Sequence, residues 1–275
     1  MAMNSISLTG GMRSNLFSLQ KTNELMERTS SRLSTGKKVQ SALDDPINFF
    51  AAAGHSQRAG DLAQRKDQMG EAIQTIKAAN NGIEAITDLI ASAKSLANSA
   101  NALDVTSGAT DRAALATQFN EVMDQIDTLA ADSGYKGINL LSGADLTVEY
   151  DESGDSKSTI TGFDASTDGD ITIGDAAGSW ASKANVNAAI TQLDTARDDL
   201  RTKTQTLTTS LSTITTRQDF TTKMINTLED GASDLTNADM NEESANMLML
   251  QTRQALGTSS LSMASQAAQS VLRLF

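Results

Sequence analysis

Apolar residues recur at alternating spacings of four and three along most of this chain. That is the period of helices meeting along narrow seams, and it predicts five helical segments interrupted by one β-rich stretch. In the first segment Met12, Leu16, Leu19, Asn23, Met26 and Leu33 fall on one stripe, with Ser30 in its remaining slot. Gly36 supplies a left-handed exit. Asp44-Asp45-Pro46 opens the second segment: Asp45 can cap it, and Pro46 suits the first helical position, where its missing N–H is not needed. This helix should reach about Leu103, with one seam through Met69, Ile73, Ile76, Ile83 and Ile90 and another through Ile86, Leu89, Ala93 and Leu96. Two seams predict packing on two sides. Gly54, Gly60, Gly70 and Gly82 each weaken it by roughly 1 kcal/mol against Ala and mark where it could kink.

Ser107-Gly108 breaks the pattern, and a third helix follows over 111–132, with Leu115, Phe119, Val122, Ile126 and Leu129 in step. Between 144 and 178 the period changes to two. Residues 146–150 alternate, and 158–161 and 170–173 are short β-branched runs separated by turn signals such as Asp168-Gly169, so a small hairpin region is expected. The fourth helix is expected over 185–229, on a heptad stripe through Val186, Ile190, Leu193, Leu200, Leu207, Leu211, Ile214, Ile225 and Leu228. Arg197, Thr204, Gln218 and Thr221 fill its other slots. The fifth starts at Asp239, where Glu242 would complete a capping box, and carries Met247, Leu250, Leu261, Ala264, Ala268, Val271 and Phe275 on one stripe.

The expected fold is mainly α: a long, coiled-coil-like antiparallel helical bundle with a small β-hairpin insert. The helices pair in mirror order, the insert at the far tip. The segments are 1–43, 44–143, the insert 144–182, 183–235 and 236–275. The first and last seams are thin and rich in Ser, Gln, Asn and Ala. Neither buries enough apolar area alone to offset ~1–2 kcal/mol of backbone ordering per residue, so these ends should be loose in isolation and order on assembly.

Composition narrows the chemistry. The chain is 39% hydrophobic but only 4% aromatic, with one proline, one histidine and no cysteine. Absent cysteine removes thiolate catalysis, disulfides and Cys-based zinc, and the lone His55 leaves little for histidine catalysis or transition metals. The net charge of −12 opposes nucleic-acid or anionic-membrane partners. Residues 143–182 hold nine acids and one base, which is −8 of that total. The insert therefore reads as an acidic, solvent-facing piece on a near-neutral helical body. No stretch approaches the ~20 apolar residues of a membrane span, and the start carries no ordinary signal peptide. An enzyme is not expected, and no cofactor.

Few residues offer other chemistry. Asp164, Ser166, Asp168 and Asp175 match the oxygen spacing of a calcium loop, with Gly169 at its sixth position. No helices flank it, however, and a solvated acidic hairpin is the expected reading. Arg32, Lys37 and Lys38 form a small basic cluster, either a surface turn or a partner for acids of a neighbouring copy. Met247-Leu-Met-Leu250 is an apolar patch where core stripe and assembly surface coincide.

Both ends resemble bacterial flagellin. Asn15-Leu-Phe-Ser-Leu-Gln20, Arg32-Leu-Ser-Thr-Gly-Lys-Lys-Val39 and Ser41-Ala-Leu-Asp-Asp45 are similar to that family's N-terminal signature. Its motif residues fall on Arg32, Leu33, Ser34, Gly36, Lys37, Asp44 and Asp45. Glu243-Ser-Ala-Asn-Met247, Gln251-Thr-Arg-Gln-Ala-Leu-Gly257 and Gln269-Ser-Val-Leu-Arg-Leu-Phe275 resemble its C-terminal signature, and Tyr135-Lys-Gly-Ile-Asn-Leu-Leu141 a loop of the family. The resemblance implies a structural homo-polymer for swimming motility. Its terminal helices would form the inner tube of a hollow filament and its middle helices the outer tube. It also implies type III export to the cell exterior without a cleaved signal peptide. The implied partners are an export chaperone, a filament cap and junction proteins. Asp44-Asp45-Pro46 also resembles the related hook–filament junction protein, which is the alternative.

Overall fold

The computed structural model describes residues 10–272. In chain order they form α1 (Gly10–Thr35), α2 (Pro46–Ala102), α3 (Ala109–Asp132), β1 (Leu146–Glu149), β2 (Lys157–Ile160), α4 (Lys183–Thr236) and α5 (Met240–Leu272). All five expected helices are present. Asp45 Oδ1 accepts the Asn48 N–H at 3.1 Å, capping α2 as expected, and Gly36 ends α1 at φ 70°. The chain divides into a terminal unit (up to Gln57, and from Leu228 on) and a central unit, Arg58–Thr227.

The central unit holds the main core. Met69, Ile76, Ile83, Ile86, Ile90 and Ala93 of α2 are buried, which covers both expected seams and accounts for two-sided packing. In this unit α2 and α4 run antiparallel: Gln218 Nε2 donates to the Lys66 carbonyl at 3.3 Å, Lys94 pairs with Asp194, and Asn101 Nδ2 donates to Asn187 Oδ1 at 3.1 Å. From α3, Phe119, Met123 and Ile126 enter the same core. Gly82 answers a packing need. A Cβ there would stand 2.2 Å from Ser133 Oγ, so only glycine lets the chain after α3 approach α2 this closely. α2 is assigned as a single helical run of 57 residues that includes Gly54, Gly60, Gly70 and Gly82.

The insert departs from expectation in two ways. β1 and β2 pair antiparallel, Leu146 opposite Ile160 and Glu149 opposite Lys157, but the third β-branched run forms no strand. Ile171 and Ile173 are instead buried in irregular backbone, fixed by Asp170 N–H to the Asp164 carbonyl and Ile173 N–H to the Thr167 carbonyl, both 2.8 Å. Nor does the insert simply face solvent: Leu146, Val148, Ile160, Phe163 and Trp180 lie in the core cluster. A lone two-stranded hairpin is marginal in water, so one face must be covered. Its acids meet helix cations instead, Arg65–Glu149 and Arg58–Glu152 at 2.6 Å and Lys203–Asp170 at 3.4 Å.

The insert returns to α4 through a strained turn. Gly178, Ser179 and Trp180 all take positive φ (56°, 48° and 55°), which costs energy at the two non-glycine positions. Trp180 is fully buried, its ring centroid 4.9 Å from that of Phe119, and Asn185 Nδ2 donates to the Ala177 carbonyl at 2.9 Å. Packing thus holds the turn in place. Phe119→Ala should lower the stability of the central unit by about 3–5 kcal/mol, measured by urea unfolding. A loss below 1 kcal/mol would show that Phe119 is not a keystone.

Candidate assembly surface

In the terminal unit α1 and α5 run antiparallel. Three side-chain bonds hold the register: Asn15 Nδ2 to Ser260 Oγ at 3.3 Å, Gln254 Nε2 to Asn23 Oδ1 at 3.0 Å, and Arg32 Nη1 to Glu243 Oε1 at 2.7 Å. Leu19 lies over Gly257, where an added Cβ would come within 2.7 Å of Leu19 Cδ2, so this glycine lets the helices close together.

Met12 and Leu250 are buried in this seam, while Leu19, Met26, Leu33, Met247, Leu261 and Ala264 are half-buried. Leu16, expected in the seam, is 40% exposed. The inward row instead takes Asn15, Thr22 and Thr29 from the other side of Met12, Leu19, Met26 and Leu33. Ala268 and Val271 are helical, but their side chains lie outside the described residues, as does all of Phe275. Packing is thin. Met26 and Met247 line an open groove of about 620 Å³ together with Asn23, Ser30, Gln251 and Gln254.

The N-terminal motif is bonded to the C-terminal segment. Gly36 N–H donates to the Arg32 carbonyl and Ala238 N–H to the Gly36 carbonyl, both at 2.8 Å. Lys38 and Val39 N–H both donate to the Thr236 carbonyl, at 2.7 and 3.2 Å. Of the basic cluster, Arg32 finds its acid within the chain, Lys38 Nζ donates to the Asp234 carbonyl at 3.5 Å, and Lys37 is exposed, as is Ser34. Asp239 Oδ1 caps α5, accepting the Asn241 and Glu242 N–H groups at 2.8 and 3.3 Å. The expected return bond from Glu242 is not formed; the neighbouring Glu243 reaches Arg32 instead.

The turn between α1 and α2 is built on Asp44. Its Oδ2 accepts the N–H groups of Gln40 and Ser41 at 3.1 and 3.0 Å and the Ser41 hydroxyl at 3.1 Å. Those bonds, the Gln40 N–H first, hold its carboxyl below the ordinary value.

The calcium-spaced residues make a turn. Asp164 Oδ1 accepts the Ser166 N–H at 3.0 Å, Asp168 and Asp175 are exposed, and a Cβ on Gly169 would sit 2.6 Å from Asp164 Cγ. No group of three His, Asp or Glu side chains is placed to hold a metal among the described residues. His55 is half-buried, its Cδ2 3.9 Å from where a Cβ of Gly231 would stand.

Twelve large hydrophobic side chains stand out as exposed among the described residues. Five lie on the N-terminal segment (Leu16, Phe17, Leu43, Ile47, Phe50) and five on the C-terminal segment (Met240, Leu248, Met249, Leu256, Met263). Only Val105 and Phe220 belong to the central unit.

Two outcomes follow from this geometry. Arg32→Ala strands a Glu243 carboxylate whose side chain is 9% exposed. It should weaken the α1–α5 pair by about 1–3 kcal/mol, seen as faster amide exchange along both helices; unchanged exchange would deny the bond its role. Asp44 anchors its turn only as a carboxylate. The anchor is complete above the ordinary Asp value of 3.8 and is lost as pH falls through the lowered one. The Gln40 and Ser41 amide resonances should therefore titrate together with a midpoint below 3.8. A midpoint at or above it would remove Asp44 from that role.

Comparison with known proteins places this architecture. Residues 8–145 match the bacterial flagellin N-terminal helical region and 184–275 the bacterial flagellin C-terminal helical region. Flagellin FljM of Caulobacter vibrioides is 30% identical over 275 residues, covering 100% of both chains. A flagellin of Brucella melitensis is 28% identical, covering 94% of this chain and 95% of its own. The crystal structure of Bacillus cereus flagellin matches at a TM-score of 0.47 and 18% identity, covering 56% of this chain and 88% of that one. Nothing among these favours the junction-protein alternative. The chain belongs to the bacterial flagellin family, in a short form, and is a structural subunit of the flagellar filament.

Proposed function

We propose that this filament subunit polymerises through its terminal unit, with α1 and α5 sharing their seams with neighbouring copies. The observation that carries this reading is the placement of exposed apolar side chains, ten of twelve of which lie in that unit. Apolar surface of this kind costs free energy in water and is recovered on association. The open groove beside Met26 and Met247 leaves room for a seam that closes between copies.

In the assembled filament, segments 1–43 and 236–275 form the inner tube, 44–143 and 183–235 the outer tube, and 144–182 the outward insert. The polymerisation seams are Met12, Leu16, Leu19, Met26 and Leu33 on one side and Met247, Leu250, Leu261, Ala264, Ala268, Val271 and Phe275 on the other. In the free subunit α1 and α5 pair only through a thin seam, and they gain cover as copies join. Family kinship supports type III export to the cell exterior, a chaperone on the C-terminal helix, and contacts with the cap and junction proteins.

Purified protein should elongate sheared filament seeds, followed by electron microscopy. Leu250→Asp or Leu261→Asp should leave secretion intact. Either should raise the concentration needed for elongation by about 100-fold, the equivalent of ~3 kcal/mol for a carboxylate forced into an apolar seam. Normal filaments from either variant would count against the seam.

A further inference from the structure

The C-terminal helix carries two apolar rows, and α1 covers one of them. Leu250, Gly257 and Ala264 recur every seven residues on the side turned to α1: Leu250 is buried, Gly257 lies under Leu19, and Ala264 is half-buried. Met249, Leu256 and Met263 repeat at the same interval one residue earlier, hence about 100° round the helix. These three are 50%, 67% and 62% exposed. Sulfur marks this second row. The chain has no cysteine, so methionine holds all of its sulfur. In the central unit Met69 and Met123 are buried and Met224 is half-buried. Among the described residues the exposed methionines are Met240, Met249 and Met263, all on α5. Met240 is outside the row, on the side of the helix away from Met249.

We propose that Met249 and Met263 are oxidation sites, and that converting them to sulfoxides keeps a free subunit from joining a filament. This rests on the filament reading above and adds a chemical control to it. Exposure governs methionine oxidation, and the product replaces a flexible apolar side chain with a polar one. The oxidant is a peroxide. Its O–O bond breaks as an S–O bond forms. The thioether sulfur gives up two electrons and keeps one oxygen, and with hydrogen peroxide the other oxygen leaves as water. In the filament a neighbouring copy covers this row, since α1 already occupies the other one. Each sulfoxide carries into that contact an oxygen that must find a donor or be buried without one. The same contact shields subunits already incorporated, so the control acts before assembly and spares finished filament.

Purified subunit is treated with hydrogen peroxide until Met249 is partly oxidised, then offered to untreated seeds. Filaments are sedimented, and mass spectrometry reads the sulfoxide fraction at each methionine in pellet and supernatant. Sulfoxides at Met249 and Met263 should be depleted from the newly added subunits by about tenfold or more, the order of penalty for burying a polar group without a partner. Sulfoxide at Met240 should be shared more evenly. Equal partition at Met249 and Met263, or exclusion that follows Met240 instead, overturns the proposal and leaves the filament reading intact. The Met249→Leu/Met263→Leu variant provides a second arm: it should elongate equally before and after peroxide, and a loss matching that of the wild type would place the sensitive sulfur elsewhere. Should this variant not elongate untreated, partition in the wild type decides alone. Failure of untreated wild-type protein to elongate seeds would overturn both readings.

Discussion

A helix with a thin apolar stripe cannot stand by itself in water, because ordering its backbone costs more than its narrow seam returns. That constraint governs both ends of this chain. Among the described side chains, α1 buries one large apolar residue, Met12, and α5 one, Leu250. The remaining contacts are half-buried or polar: a charged pair, two amide or hydroxyl bonds, and a leucine resting on a glycine. Polar contacts specify register more than they add stability. The pair is therefore well defined in alignment but short of buried surface, and a subunit of this kind gains most from neighbours that cover what it leaves open.

The central unit solves the opposite problem. Its core draws on α2, α3, α4 and the insert together, and its large side chains are almost wholly hidden. The acidity of the insert is resolved there too. Packing the insert against the helices brings Glu149 and Glu152 of the hairpin beside Arg65 and Arg58, and Asp170 of the following segment beside Lys203, so part of the excess negative charge is set against helix cations. Each exposed pair is worth little, about 0–1 kcal/mol; the apolar face holds the insert down and the pairs orient it.

Chain-end pairing explains why the two signature regions occur together. Arg32 of one meets Glu243 of the other, and the turn at Gly36 is hydrogen-bonded to Ala238. Neither motif is a site alone. The sequence held both halves in plain view, but the bond between them spans 211 positions and no local pattern announces it.

Sequence alone determined the number and order of helices, their caps at Asp45 and Asp239, the left-handed exit at Gly36 and the family. These follow from local propensity and period, which act within a few residues. The seven-residue rows were also legible: Met12, Leu19, Met26 and Leu33 in α1, Phe119 and Ile126 in α3, and Val186, Leu193, Leu200 and Leu207 in α4 all face inward to some degree. Which flank joins each row was not legible. The pattern favoured Leu16, Leu115, Val122 and Arg197, whereas the structure turns Asn15, Ala116, Met123 and Ala196 further in. A spacing of four then three and one of three then four share every seventh residue. Only the partner helix, by where it lies and how closely it approaches, selects between them. The same holds for residues 170–173, whose β-branched composition suits a strand but whose burial is set by the helices around them.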